Sequence, residues 1–337
     1  MDTLTLIKKL SDSVCVGSIT ETLDIAKEYL DGTHEIEMLT GGNLALKIKG
    51  EGNRTLLFDA HIDEISFIVN EITDGGFLKV SCVGGFDLRA LPSHAVTVHG
   101  KEDIPAVFTS IPPHLAKEDA VYDDISKLSV DTGLGDKAKE LCSVGDFVTF
   151  RTESSEMANG KITGKSLDNR AGVAALLLLA DKLRGKKLPV NVTILLSNQE
   201  EIGCRGAKTA AFALEADEAV CVDVSFASFP GIAANECGKL GKGPMLGYSP
   251  ILSRDIFERL ISVADENNIP YQKEIMGGTT STNADAVTLT KSGIPSGLVS
   301  IPLRYMHSDC EVIDKADVEA VAELLYKYAM SGGTLCD

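Results

Sequence analysis

Four short apolar runs constrain this chain most. Residues 55–60, 191–196, 219–224 and 297–301 have the length and the Leu, Ile and Val content of buried β-strands. Helical stretches surround them. Residues 17–31 place Ile19, Leu23, Ala26 and Leu30 close to one face, residues 169–185 are rich in Ala and Leu, and residues 316–330 form an amphipathic helix with Asp314 as N-cap. The first ten residues read as a further amphipathic helix. Strands alternating with helices predict an α/β fold, a mostly parallel sheet sandwiched by helices.

The middle of the chain follows another rule. Phe77–Val83, Ala95–His99, Ala106–Thr109 and Phe147–Phe150 are short strand-like runs broken by Gly and Pro, and Asp74-Gly75-Gly76 is a hairpin turn signal. Only Asp136 to Cys142 looks helical. Residues 70–163 therefore read as a β-rich domain inserted into an α/β domain made of 1–69 and 164–337.

The polar residues of interest share one kind of position. His61 and Asp63 follow the first run, Glu200 and Glu201 the second, Asp223 lies at the end of the third, and His307 follows the fourth. Asp168 precedes a helix. In open α/β sheets the carboxyl ends of the strands form the ligand crevice. Taken singly, each residue has an ordinary explanation: a strand-end polar pair, a solvated turn, a helix cap or a loop histidine. Together they bring imidazoles and carboxylates to one sheet edge. The other histidines, His34, His94, His99 and His114, lack such a context.

Two imidazoles with several carboxylates suit zinc, cobalt or manganese. Two ions about 3.5–4 Å apart would need a bridging carboxylate, and Asp168 at a helix start is placed to be one. The ions would polarise a scissile carbonyl and acidify a shared water. A carboxylate that is not a ligand would take the water's proton and pass it to the leaving amine. The pair Glu200-Glu201 fits such a division into one ligand and one base.

Composition limits the partners. A net charge of −17 argues against nucleic acid and anionic membranes, and the absence of Trp argues against base stacking. The longest apolar run, Ala174 to Ala180, is too short to cross a bilayer, and the N-terminus lacks a signal core. Eight scattered cysteines without a CxxC pair fit a reducing, cytoplasmic setting. Cys82, Cys142 and Cys221 lie in strand-like surroundings and read as small buried hydrophobes.

Four stretches carry a resemblance. They are Asp59-Ala60-His61-Ile62-Asp63-Glu64-Ile65, Lys165-Ser166-Leu167-Asp168-Asn169-Arg170-Ala171-Gly172, Gln199-Glu200-Glu201-Ile202-Gly203-Cys204-Arg205-Gly206-Ala207 and Pro302-Leu303-Arg304-Tyr305-Met306-His307-Ser308. In this order and spacing the chain resembles the glutamyl-aminopeptidase family of dinuclear metallopeptidases, which includes the tetrahedral (TET) aminopeptidases and some members labelled endoglucanase. The resemblance covers nearly the whole chain and implies a zinc-peptidase-like fold. It implies two divalent ions, one on His61 and Asp223, the other on Glu201 and His307, with Asp168 between them. Glu200 would be the general base acting on a metal-bridging water, with Asp63 orienting His61. Gly277, Gly278, Thr279 and Thr280 match the region lining the substrate pocket. The resemblance further implies short peptides as substrates, cut at the N-terminus, and an inserted domain used for dimerisation. It also implies homo-oligomers in which dimers assemble into a dodecamer. Two stretches depart from the family pattern: Thr279 to Asp285 is longer than the common Gly-Thr-Asp arrangement, and Ser308-Asp309-Cys310-Glu311 stands where an apolar or Pro-containing turn is commoner.

Competing readings remain. A metal-dependent deacylase or carboxypeptidase would use the same kind of ligand set. Glycoside hydrolysis would need facing carboxylates and usually aromatic surfaces, which the histidines and missing Trp disfavour. A metal-binding assembly protein with lapsed catalysis would have no need of Glu200.

Overall fold

A computed structural model describes residues 1–30, 35–112, 114–115, 122–233 and 236–334. His34 and Cys336, read above from sequence, lie outside these residues. The chain forms an α/β unit around an eight-stranded sheet. From one edge the strands are Gln272–Ile275, Met245–Tyr248, Ser296–Leu303, Glu218–Phe226, Thr55–His61, Asn191–Ser197, Asn43–Ile48 and Glu35–Leu39. The sheet is mixed. Its four central strands, Ser296–Leu303 through Asn191–Ser197, are parallel, and antiparallel pairings flank them on both sides.

Side chains alternate across a strand, so both faces of this sheet need cover. Leu56 and Phe58 pack into the core beneath the helices Thr3–Asp12, Glu21–Leu30, Leu167–Leu183 and Lys315–Ser331. Leu57, between them, packs with Ala207, Ala210 and Ala211 of the helix Arg205–Leu214 on the other face. Leu167–Leu183 is buried almost all round, which explains a helix without a polar stripe. Lys315–Ser331 begins on Asp314, whose side chain accepts from Ala316 N at 3.0 Å, and ends at Gly332.

The stretch read as a helix over 17–31 starts later. Cys15–Val16 pairs with Ile19–Thr20 as a small ladder, and the helix covers only Glu21–Leu30. Gly17 turns the chain at φ +55°, with the Phe147 ring so close that a Cβ would stand 2.2 Å from it. The helix expected over Asp136–Cys142 is short, a 3₁₀ turn Gly135–Lys137 followed by Ala138–Leu141.

Six strands between Ser66 and Phe150 close into a barrel: Val130–Asp131, Leu78–Val83, Ser66–Ile72, Phe147–Phe150, Ala95–His99 and Asp103–Phe108. The barrel has its own apolar core, in which Phe67 stacks on Phe86 at 4.2 Å and meets Phe108 edge-on at 4.9 Å. The short strand Lys161–Gly164 pairs instead with Glu311–Asp314, next to the α/β unit's last helix. Among the described residues no helix is long and apolar enough to cross a membrane.

Candidate metal centre

Register explains why the polar residues converge. His61 stands level with Ser197 on the neighbouring strand, so Glu200 and Glu201 emerge just beyond the same edge. Cys221 is level with Asp59, which places Asp223 two residues further, alongside His61. His307 arrives on the loop after Ser296–Leu303. Asp168 opens the long central helix with an extended backbone (ψ 106°), and regular helix follows Asn169. Asn169 fixes that start: its amide donates to Val222 O at 2.8 Å, and its oxygen accepts from Gly172 N at 3.1 Å.

Asp168 lies between two imidazoles. One carboxylate oxygen is 3.1 Å from His61 Nε2 and the other 3.4 Å from His307 Nε2. Glu201 is 3.5 Å from His307 Nε2, and Asp223 is 3.8 Å from His61 Nε2. Ligand atoms of His61, Asp168 and Glu201 all lie within 4.8 Å of one another, a possible metal site. Glu200 approaches His61 Nε2 only to 4.0 Å, and Cys204 donates its thiol to the other Glu200 oxygen at 3.4 Å.

Asp63 has two tasks. The carbonyl and carboxylate of Asp63 lie 3.3 and 3.5 Å from His61 Nδ1, which assigns the proton to Nδ1 and leaves Nε2 free to ligate. The same carboxylate accepts from Glu200 N at 3.0 Å and Glu201 N at 3.1 Å, and so fixes the turn that carries both acids.

The electrostatics suit a cation. Among the described residues, no Lys or Arg forms an ion pair with Asp63, Asp168, Glu200, Glu201 or Asp223. Burial, followed by the Asp168 charge, pushes Glu201 well above the usual carboxylate range. Asp223 is pushed up by burial as well, against the pull of His61. In Asp168 burial acts upward but is outweighed by His307 and His61, which hold it below the usual range. Burial also opposes charge on His61, yet Asp168 and Asp63 keep it above its ordinary value. Crowded oxygen and imidazole donors of this kind fit divalent ions of the zinc, cobalt or manganese type.

A cavity of about 670 Å³ opens over these groups. His61, Asp168, Glu200, Glu201, Asp223 and His307 all line it, with Thr279 and Thr280. Gly277 and Gly278 are exposed and lie outside its lining. Asp285 holds the threonine loop, accepting from Thr280 N at 2.8 Å and Ser281 N at 2.9 Å. His94 and His99 sit at barrel strands with partners of their own, and His114 is exposed. Cys142 and Cys221 are buried, while Cys82 is half-buried.

Sequence reasoning missed Glu311. It is buried, and its carboxylate accepts from Asp168 N at 3.0 Å and His307 N at 2.8 Å, so one side chain joins two loops of the site. Its only sequence signal is an acid four residues after His307. Glu274 was also missed; it lines the cavity, accepts from Ser300 at 2.9 Å and from Ser225, and is pushed up by burial.

With this geometry in view, the comparisons decide the family. The model of the M42 glutamyl aminopeptidases matches residues 42–324. The chain belongs to this family. The M42 match makes it an enzyme of a peptidase family whose members depend on metal. Among its relatives, a lysyl aminopeptidase of Pyrococcus furiosus is 29% identical over 95% of this chain and 94% of its own. A glutamyl aminopeptidase of Lactococcus lactis is 30% identical over 87% of this chain and 84% of its own. The TET1 peptidase of Pyrococcus horikoshii, described as assembling into a tetrahedron or a large octahedral shell, superposes with a TM-score of 0.88 at 30% identity, covering 98% of this chain and 99% of that one.

Proposed function

We propose that this M42 enzyme is a two-metal aminopeptidase that removes N-terminal residues from short peptides. The observation that carries the reading is Asp168, with one oxygen on each imidazole. His61 and Asp223 would hold one ion and Glu201 and His307 the other. Zinc, cobalt or manganese bound there would supply Lewis-acid polarisation and acidify a water. Glu200 takes a proton from the attacking water and delivers it to the leaving amine. Asp63 keeps His61 oriented and holds the turn that aims Glu200. Thr279 and Thr280 would line the side-chain pocket, and Gly277 and Gly278, just outside the cavity lining, would border the substrate.

Aminoacyl p-nitroanilides with a free amine are expected to be cleaved by the Co²⁺- or Zn²⁺-loaded protein, and the N-acetylated forms to resist. Cleavage confined to the blocked substrates would replace this reading with the deacylase.

The barrel between Ser66 and Phe150, the heart of the 70–163 insertion read from sequence, would serve for dimerisation, and the α/β unit built from 1–69 and 164–337 would carry the catalysis, with Ser66–Val69 going to the barrel and Lys161–Thr163 to the α/β unit. Relatives that form closed shells support a homo-oligomer, and we place the activity in the cytoplasm, where free cysteines are stable. Light scattering should find a particle of about a dozen chains, six dimers in closed symmetry. A stable monomer would contradict the assembly.

A further inference from the structure

The two imidazoles of the site are not held alike. His61 has Asp63 behind its Nδ1, whereas among the described residues His307 Nδ1 has no hydrogen bond. His307 is a third exposed and sits on a loop with two non-glycine residues in the left-handed region, Tyr305 at φ +63° and His307 at φ +61°. Such a backbone persists only when its surroundings hold it. Glu311 holds the loop from the α/β side through His307 N.

The other hold comes from the barrel. One Asp309 oxygen accepts from Thr152 Oγ1 at 3.1 Å, just past the strand Phe147–Phe150, and the other lies 3.3 Å from His94 Nε2, just before Ala95–His99. Among the described residues His94 Nδ1 is buried without a partner, so the proton belongs on Nε2, pointing at Asp309. The barrel also backs the imidazole itself: a Cβ on Gly85 would stand 3.3 Å from His307 Nδ1.

We propose that Asp309 is a positioning residue that ties the His307 loop to the barrel, so that the barrel sets how tightly the ion on Glu201 and His307 is held. The proposal rests on the two-metal reading. The ion on His61 and Asp223 lies beyond this tie, because those donors hang from central strands of the sheet. Loss of the tie therefore weakens one ion and spares the other. A purely structural role would instead weaken both, or lower stability without separating them.

Co²⁺ titrated into metal-free protein, followed by visible absorbance and calorimetry, reads the two binding steps. In Asp309→Ala one step is expected to weaken about 10–100-fold, the usual scale for losing a group that orients a ligand, with the other nearly unchanged. Excess Co²⁺ should restore most of the activity. Asp309→Asn, whose oxygen still accepts from Thr152 but whose amide group faces the His94 Nε2 proton, should recover part of the lost affinity. Thr152→Val leaves Asp309 in place and should weaken the same step by a smaller factor, which keeps the test alive if Asp309→Ala folds poorly. Two wild-type steps that shift alike in Asp309→Ala, or that do not shift, overturn the tie. A wild-type protein that binds one ion tells against the two-metal reading instead, and an unchanged affinity for that ion in Asp309→Ala still overturns the tie.

Discussion

A Glu200→Gln variant is expected to lose about 10²–10⁴-fold in kcat, the range for removing a positioned acid–base group, while keeping its metal. The side chain is placed for this result. Its backbone is pinned by Asp63 at 3.0 Å, and one of its oxygens is met by the Cys204 thiol at 3.4 Å. The other reaches no closer than 4.0 Å to His61 Nε2, against 3.1 Å for Asp168. Gln keeps the shape and the backbone hydrogen bond but cannot accept a proton and return it. Binding of substrate should change little, so the loss falls on kcat more than on KM. Metal analysis of the purified variant separates two failures. Lost metal with lost activity would make Glu200 a ligand. Retained metal with near-normal turnover would remove it from the proton transfer.

The legible part of this molecule is the part that local pattern controls. Runs such as 191–196 and 219–224 stand out because burial on both faces makes them continuously apolar, and polar residues at their ends stand out by contrast. That contrast was enough to single out His61, Glu200, Glu201, Asp223 and His307, and a helix start singled out Asp168; all six border one cavity. Features set by closure of the fold left no such trace. Asp63 follows His61 closely enough to suggest one role, but its grip on Glu200 N and Glu201 N spans 137 and 138 residues. Glu311 meets Asp168 across 143 residues. The barrel's first strand begins at Ser66, only a few residues after His61, with no Gly or Pro to punctuate the change. At one edge of the main sheet Glu35–Leu39 and Asn43–Ile48 form a hairpin laid antiparallel on Asn191–Ser197, and at the other Met245–Tyr248 runs antiparallel to Ser296–Leu303, a topology that the apolar runs alone do not reveal.

The largest effect on stability is expected at Glu64, which no motif distinguished from its neighbours. It is buried beside Lys165 at 2.6 Å and Arg170 at 3.2 Å, and it also accepts from Ser166 Oγ at 2.7 Å and Cys15 N at 3.1 Å. Arg170 is fully buried and also donates to Leu10 O at 2.9 Å, Ser13 Oγ at 3.0 Å and the Thr22 hydroxyl. Two cations therefore share one anion beneath the segments that carry Asp63 and Asp168. Burial alone would raise the Glu64 carboxyl, but the charges of Lys165 and Arg170 outweigh it and hold it below the usual range. Lys165 is pulled down by burial, with Glu64 opposing. Replacing Glu64 with Gln leaves both cations buried without a counter-charge, which costs about 3–5 kcal/mol when one partner of a buried pair is removed. Urea unfolding, or the unfolding rate at fixed temperature if the assembly does not refold, reads the loss. A depressed carboxyl contributes its stability above its unfolded value and loses it as pH falls through the folded one. The gap between wild type and Glu64→Gln should thus be full at neutral pH and close below the ordinary carboxylate value of 4.5. Adding Lys165→Met to Glu64→Gln removes one stranded cation, so the double variant should be more stable than the sum of the two single losses predicts. A Glu64→Gln loss below about 1 kcal/mol, the scale of an exposed pair, would mean that water reaches the cluster and screens it.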